Sequence, residues 1–190
     1  MKDFQKYKKT ILEKHDKSFK GEIDSKIKSL CNAINKNKSC VTLSSCSGRI
    51  CILKVVKNNN KKFSEWLFIT HSIASPKNIL EVINKYENKE ILYFKQESAI
   101  IHIGFESLEI GEKFLRIAKL SGFNRCGFIS TTKKVVLECI LAMPINVPIY
   151  DKKILISKDY ICYLVKEGNK KQKISWIAIK KLEEEFKKYF

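Results

Sequence analysis

One short stretch, Ser44–Arg49, combines residue types that are suited to holding a ligand. It lies between the apolar runs Val41–Leu43 and Ile50–Val56. A glycine permits positive φ or close backbone approach, hydroxyl and backbone N–H groups donate to anions, and an arginine offers a planar fork of donors. The stretch predicts a ligand-binding loop made of Ser44, Ser45, Cys46, Ser47, Gly48 and Arg49. A Ser-rich β-bulge or bend, with Cys46 as a small buried residue, is the purely structural alternative.

Two histidines are candidates for proton transfer, and one glutamate is a candidate catalytic residue that could orient a histidine or bind an amine. His71 ends a predicted strand that starts at Trp66, and Glu97 precedes the predicted strand that carries His102. Imidazole gains and loses a proton near neutral pH, which suits a general base. Hydrogen-bonded structural histidines and an exposed loop carboxylate are the simpler alternatives. No close spacing joins the histidines to a cysteine, so no metal site is predicted.

The cysteines leave a second enzyme class open. Cys46 could act as a nucleophile activated by Arg49 and nearby N–H groups, although no base lies next to it in the sequence. The chain has seven cysteines and no C-x-x-C pair. An odd set without such pairs argues against a disulfide framework and a zinc ribbon, and it favours reduced thiols inside the cell.

Length, composition and charge set the class of protein. The 190 residues, 44% of them hydrophobic, predict one globular domain spanning 1–190. The net charge of +17 predicts a polyanionic partner such as a nucleic acid, although a general bias toward lysine is the alternative. The charged N-terminus lacks the apolar core of a signal peptide, and no apolar run reaches the roughly 18 residues that span a bilayer. We therefore expect a soluble, cytoplasmic protein that does not bind membranes.

Hydrophobic periodicity predicts the elements that position these residues. Predicted helices cover 4–14, a segment capped by Asp24 or Ser25, a segment that starts at Ser75-Pro76, and 108–121. Strands are predicted at 40–43, 50–57, 66–71, 91–94, 99–105, 126–130 and 135–143. An irregular connection is predicted at 144–149. A short helix at 157–166, a break at Gly168-Asn169 and a long helix at 171–189 are predicted to end the chain.

The order of these elements indicates the fold class. It lacks the regular strand–helix alternation of a doubly wound fold, and neither a dinucleotide fingerprint nor a P-loop is present. The sequence therefore predicts a single α+β domain with a largely antiparallel, hairpin-rich sheet and flanking helices.

Five blocks of the sequence, taken in order, resemble the wybutosine-synthesis tRNA methyltransferase family. The blocks are Asp16–Asp24, Ser44–Ile50, Trp66–His71, Glu97 ahead of His102, and Ser121-Gly122-Phe123. Their order and spacing match over nearly the whole chain, which makes the resemblance more specific than any single motif.

The resemblance implies an activity that composition does not show. It implies methyl transfer from S-adenosyl-L-methionine to N4 of the tricyclic wybutosine precursor at position 37 of phenylalanine tRNA, beside the anticodon, on a fold unlike the Rossmann methyltransferases. It also implies that Ser44–Arg49 forms the cofactor loop and that His71, His102 and Glu97 share its cleft. A non-catalytic basic module that binds tRNA is the alternative. Lysines of hairpin turns are candidates for tRNA backbone contacts: Lys57, Lys61, Lys62, Lys133 and Lys134.

Overall fold

The computed structural model of the protein describes residues 3–13, 23–55 and 64–190. Its elements in chain order are α1 Phe4–Leu12, α2 Ser25–Lys36, β1 Cys40–Cys46, β2 Arg49–Val55, β3 Glu65–Thr70, α3 Pro76–Asn84, β4 Ile91–Glu97, β5 Ile100–Phe105, α4 Leu108–Leu120, β6 Arg125–Ser130, β7 Val135–Ile140, β8 Ile145–Asp151, β9 Lys153–Ile154 and α5 Lys158–Tyr189. Every strand pairing among the described residues is antiparallel. The predicted α+β class with a hairpin-rich antiparallel sheet is confirmed.

The chain divides into two compact units. Unit 1 comprises the described residues of Met1–Ser47, Ala99–Ala142 and Ser175–Phe190, and unit 2 those of Gly48–Ser98 and Met143–Ile174. Unit 1 contains a four-stranded sheet in the order β1-β5-β7-β6, and unit 2 a five-stranded sheet in the order β3-β2-β4-β8-β9. That 1–190 behaves as one domain stays a prediction.

A cluster of aromatic rings forms part of the core of unit 1. Phe105 of β5 packs against Phe114 of α4 with ring centroids 5.4 Å apart, and Phe114 contacts Phe186 of α5 at 5.9 Å. The predicted ends of α4 are also observed. The Ser107 hydroxyl accepts a hydrogen bond from the helix, and Gly122 follows it with a φ of +103°. Such a left-handed residue is the common stop signal of a helix.

The core of unit 2 packs mostly aliphatic side chains between its sheet and two helices. Ile50 and Phe94 from the sheet, Ile79 from α3 and Val165 from α5 are all buried in it. The helix α3 begins as predicted, because Ser75 caps it and Pro76 occupies its first turn. The hairpin of β2 and β3 is likewise confirmed, although its connection lies outside the described residues.

Two predicted interruptions of regular secondary structure are wrong, and one of them concerns Pro148. The segment predicted to be an irregular connection is strand β8, and Pro148 pairs with Tyr93 of β4 beside a register shift. The partner on the other side of β8 is the two-residue strand β9, which pairs with Tyr150 and Asp151 only. A proline lacks the N–H that a sheet interior needs, so a bulged position at an open edge accommodates it.

The second wrong interruption is the break at Gly168-Asn169, since α5 is continuous through both residues. A β-carbon on Gly168 would lie 3.2 Å from Phe94, so the glycine serves close packing of helix on sheet. The Asn169 amide accepts a bond from Ala74 N and donates one to Ala74 O. Tertiary contacts therefore offset the low helix propensity of this pair.

Within the described residues, no helix is both long and apolar enough to cross a bilayer. All seven cysteines are free thiols. Burial raises the pKa of the Cys31 thiol to about 11 and that of Cys40 to about 12, so both stay protonated at neutral pH.

Candidate active site

Ser44, His102 and Glu138 form a chain of hydrogen bonds across three strands of unit 1. The Ser44 hydroxyl lies 2.8 Å from His102 Nδ1, and His102 Nε2 lies 2.8 Å from Glu138 Oε2. A carboxylate can only accept, so Nε2 carries a hydrogen and Nδ1 of the neutral ring accepts from the Ser44 hydroxyl. We call this arrangement the Ser–His–Glu relay. His102 and Glu138 are partly exposed, and Ser44 is exposed.

A bulge in β1 is the reason that Ser44 reaches His102. Thr42 pairs with Ile103, Ser44 pairs with His102, and the register shifts between them at Leu43. Successive residues of a strand point to opposite faces, so without the extra residue Ser44 would lie on the face of Ile103. The β-bulge that the sequence offered as a purely structural alternative is therefore what positions Ser44.

His102 and Glu138 are direct neighbours across β5 and β7. Directly opposite residues of antiparallel strands place their side chains on the same face within contact distance. Gly127 lies opposite Glu138 in β6, and open space surrounds the position where a β-carbon would be. The relay therefore borders an accessible part of the sheet surface.

Arg49, Glu97 and Lys95 form a cluster of charges in unit 2. Arg49 Nε donates to Glu97 Oε2 at 2.5 Å, and Lys95 Nζ lies 3.2 Å from Glu97 Oε1. The guanidinium also lies over the Trp66 ring, 4.6 Å from its centroid. Burial opposes ionisation of Glu97, but the attraction and hydrogen bonds of Arg49 and Lys95 prevail and hold its pKa below the ordinary value. We call Arg49, Glu97 and Lys95 the charge cluster.

The position of Glu97 in the sheet contradicts the sequence-based alternative that it is an exposed loop carboxylate. Glu97 is the last residue of β4 and pairs with Arg49 in the sheet, so it is not an exposed loop carboxylate. Its side chain is 30% exposed. Both oxygens are engaged by cations, which makes Glu97 an anchor for positive charge and a poor proton acceptor.

Gly48 and His71 are joined through a buried glutamine of α5. Gln172 Nε2 donates to Gly48 O at 2.7 Å and to His71 O at 3.4 Å. Gly48 has a φ of +94°, and a β-carbon there would lie 2.9 Å from Gln172 Oε1. Only glycine fits so close to the Gln172 side chain at this positive φ. Within the described residues, that oxygen is buried without a hydrogen-bond partner.

The rest of the predicted ligand loop takes part in local structure. Ser44, Ser45 and Cys46 belong to β1 and Arg49 starts β2, so a loop over the whole stretch is wrong. The buried Ser47 donates from its N–H and hydroxyl groups to Asp24 Oδ2. The Ser45 hydroxyl accepts from Cys31 Sγ at 3.5 Å, and Cys46 is half-buried.

Besides Lys95 of the charge cluster, sequence reasoning missed three of these residues as members of a site. Glu138 is the one charged residue of the apolar run Val135–Ile140. Gln172 lies on the helix face that also carries Ile161, Val165 and Gly168, where a polar side chain is unusual. Asp24 was predicted as a possible helix cap, but its side chain makes no cap bond and accepts from Ser47 instead. For Glu138 and Gln172, a polar residue within an otherwise apolar pattern was the available signal.

The predicted tRNA-contacting lysines are described only in part. Lys57, Lys61 and Lys62 lie outside the described residues, as does most of the first block of the family resemblance. Lys133 is exposed in the turn between β6 and β7, and Lys134 Nζ lies over the Tyr7 ring at 4.6 Å.

His71 and His102 belong to different units. That they share a cleft with Glu97 stays a prediction.

Comparison with known proteins identifies the family. Residues 5–188 match the methyltransferase TYW3 family. The chain is 32% identical over 190 residues to the tRNA(Phe) 7-((3-amino-3-carboxypropyl)-4-demethylwyosine(37)-N(4))-methyltransferase of Thermococcus sibiricus, covering 98% of this chain and 96% of that protein. It is 30% identical over 173 residues to the tRNA wybutosine-synthesizing protein 3 homolog of Xenopus laevis, covering 88% of this chain and 68% of that protein.

A solved structure agrees with the sequence comparison. The PH1069 protein from Pyrococcus horikoshii superposes with a TM-score of 0.90 at 28% identity and covers 97% of this chain and 96% of its own. The chain belongs to the methyltransferase TYW3 family. The resemblance noted in the sequence is confirmed, and so is the methyltransferase class that it implied.

Proposed function

We propose that the protein methylates N4 of the tricyclic wybutosine precursor at position 37 in the anticodon loop of phenylalanine tRNA, with S-adenosyl-L-methionine as methyl donor. Family membership and the names of the relatives support this reaction. The observation that carries the chemistry is the Ser–His–Glu relay, because N-methylation of an N–H group releases a proton that a base must take up. A cytoplasmic location, expected from the sequence, is part of the proposal.

The relay would remove that proton in two hydrogen-bonded steps. The Ser44 oxygen accepts the N–H of the substrate while the Ser44 hydroxyl donates its own proton to His102 Nδ1. His102 becomes a cation, and the carboxylate of Glu138 at 2.8 Å stabilises it. Ser44 and His102 are the catalytic residues of this scheme, and Glu138 is a positioning residue that sets the tautomer and the orientation of the ring.

The charges of unit 2 fit the amino-acid end of the donor. S-Adenosylmethionine carries a carboxylate and an ammonium group, and it supplies a methyl group bonded to a sulfonium. Arg49 and Lys95 provide cations for the carboxylate, while Glu97 and the unpartnered Gln172 Oε1 provide acceptors for the ammonium. Gly48, whose backbone packs closely against the Gln172 side chain, belongs to the same group of residues.

The sequence-based assignments remain part of this proposal. Ser44–Arg49 supplies the donor-binding stretch, with Ser45, Cys46 and Ser47 holding its backbone in place. His71 is the second candidate base, and its carbonyl already accepts a bond from Gln172. Positioning of donor and acceptor should provide much of the rate enhancement, since methyl transfer needs the reacting atoms in line.

The decisive experiment is a methylation assay on a defined substrate. The protein is incubated with isotope-labelled S-adenosylmethionine and phenylalanine tRNA that carries the unmethylated tricyclic base, and the nucleosides are analysed by mass. We expect a gain of one labelled methyl group at N4. A chain that binds the tRNA but shows no heat of S-adenosylmethionine binding in calorimetry would contradict the proposal and identify a non-catalytic binding module.

A further inference from the structure

A groove beside α5 in unit 2 has the composition of a nucleic-acid contact. It encloses about 750 Å³, and its lining includes Ile73, Pro76 and Val165 together with Lys166, Lys170 and Lys173. We call these six residues the α5 groove. The activity proposed above does not account for it, and none of the lysines predicted to contact tRNA lies in it.

The lysines of the α5 groove follow one face of the helix. Their spacings of four and three residues place them about one turn apart, with neighbouring Cβ atoms roughly 5–6 Å apart. All three are exposed, and none forms an ion pair within the part of the chain that the structure describes. One acidic residue, Glu167, also lines the groove. The rim therefore presents a row of positive charge.

The opposite wall of the groove is fixed by hydrogen bonds. Asn169 Oδ1 accepts from Ala74 N at 2.8 Å, and Asn169 Nδ2 donates to Ala74 O at 2.9 Å. These bonds hold the segment with Ile73 and Pro76 against the helix. Ile73 is nevertheless 45% exposed, which leaves an apolar surface beside the lysines.

An exposed pair of aromatic rings continues this face toward the start of α5. Tyr160 and Tyr163 are stacked with centroids 6.2 Å apart and an interplanar angle of 22°. Tyr163 precedes Lys166 by three residues and is 55% exposed. Flat aromatic faces next to cations are the combination with which proteins bind single-stranded nucleic acid, because bases stack on the rings while lysines contact phosphates.

We propose that the α5 groove and Tyr163 bind a single-stranded segment of the substrate tRNA, with phosphates on the lysines and a base on Tyr163. This inference rests on the proposed function for the identity of the RNA. The charge of the rim is complementary to a phosphate backbone, and the apolar wall suits ribose and base surfaces.

The test compares two variants of equal charge change. The rim variant, Lys166→Gln/Lys170→Gln/Lys173→Gln, removes the three positive charges of the α5 groove. The control variant, Lys119→Gln/Lys180→Gln/Lys181→Gln, removes the charges of three exposed lysines of unit 1. Binding of unmodified phenylalanine tRNA is titrated by fluorescence anisotropy over a series of salt concentrations. We expect the rim variant to bind at least tenfold more weakly and its log–log salt slope to fall by about two, since each single-strand phosphate contact contributes about 0.7. The control should stay within about threefold of the wild type.

A second comparison tests stacking. Tyr163→Ala should weaken tRNA binding about tenfold, whereas Tyr163→Phe should retain it, because the ring supplies the contact. Equal losses in the rim variant and its control, or an unchanged salt slope, would overturn the inference. So would a rim variant that binds tRNA normally but loses binding to anionic vesicles or to a poly-glutamate peptide. Failure of methylation by the wild type would instead refute the proposed function, since the binding assay requires no turnover.

Discussion

The Ser–His–Glu relay of unit 1 and the charge cluster of unit 2 are both built from side chains on neighbouring antiparallel strands, yet they differ in what their protons can do. In the relay, the imidazole of His102 lies between a hydroxyl and a carboxylate. In the charge cluster, Arg49 and Lys95 already occupy the carboxylate of Glu97. The relay can therefore take up a proton, whereas the charge cluster holds charged groups together without exchanging a proton.

The difference separates two roles that the sequence assigned together. His71, His102 and Glu97 were all predicted to be catalytic. The environment of Glu97 suits binding of a zwitterion, and that of His102 suits base catalysis. Five measurements test this division.

Replacing Arg49 should have the largest effect. Arg49→Ala is expected to abolish methylation while the fold survives, because the charge cluster loses the cation that both stacks on Trp66 and holds Glu97. Arg49→Lys keeps the charge but lacks the planar fork, so it should recover only part of the activity. Nucleoside mass and circular dichroism measure the two outcomes. Turnover at the wild-type rate in Arg49→Ala would refute the assignment.

Replacing His102 should lower kcat about 10²- to 10⁴-fold, which is the usual contribution of a general base. The KM for tRNA should change little, since the role proposed for His102 is to accept a proton and not to bind tRNA. Steady-state kinetics of His102→Ala at several tRNA concentrations measures both constants. His71→Ala is the matched variant, and a larger fall of kcat there would transfer the role of base to His71.

Glu138→Gln should lower kcat less than His102→Ala, by about ten- to a hundredfold, because the imidazole keeps a hydrogen-bond partner but loses the compensating charge. Glu138→Asp keeps the charge and should recover part of the rate. The KM values for both substrates should stay constant. A fall in thermal stability with unchanged kcat would show that Glu138 is structural only.

Glu97→Gln should change the dependence of stability on pH. The pKa of Glu97 is depressed in the folded state, so its stabilisation is present above the unfolded pKa of about 4.3 and is lost as the pH falls through the folded value. Urea unfolding should show the variant about 1–2 kcal/mol less stable than the wild type at pH 7. The gap should narrow below about pH 4. A constant gap across this range would contradict the ionised state of Glu97.

Cys46→Ser should have the smallest effect. The half-buried thiol belongs to the last residue of β1 and has no part in the proposed proton path. We expect at most about a threefold fall in kcat, measured in the same methylation assay. A thiol-dependent enzyme would lose its covalent intermediate and nearly all activity. This variant therefore distinguishes such an enzyme from a methyltransferase that does not use the thiol.

Local sequence patterns determined much of this protein. Helical spacing predicted α3 and α4, Ser75-Pro76 marked the start of α3, and alternation predicted the hairpins and hence the α+β class. These features depend on residues close in sequence, whose interactions do not require the rest of the fold. The ordered blocks also identified the family, and His102 and Arg49 were recognised as candidate site residues.

Only the tertiary structure decided which groups meet. Glu138 reaches His102 from a strand 36 residues away, and a bulge at Leu43 turns Ser44 to the same face. A shift of one residue reverses the face of every side chain that follows, and composition does not specify such a shift. Gly168 and Asn169 remain helical because Phe94 and Ala74 pack and bond against them. Long-range register and packing assembled the relay and the charge cluster from residues whose individual signals were weak.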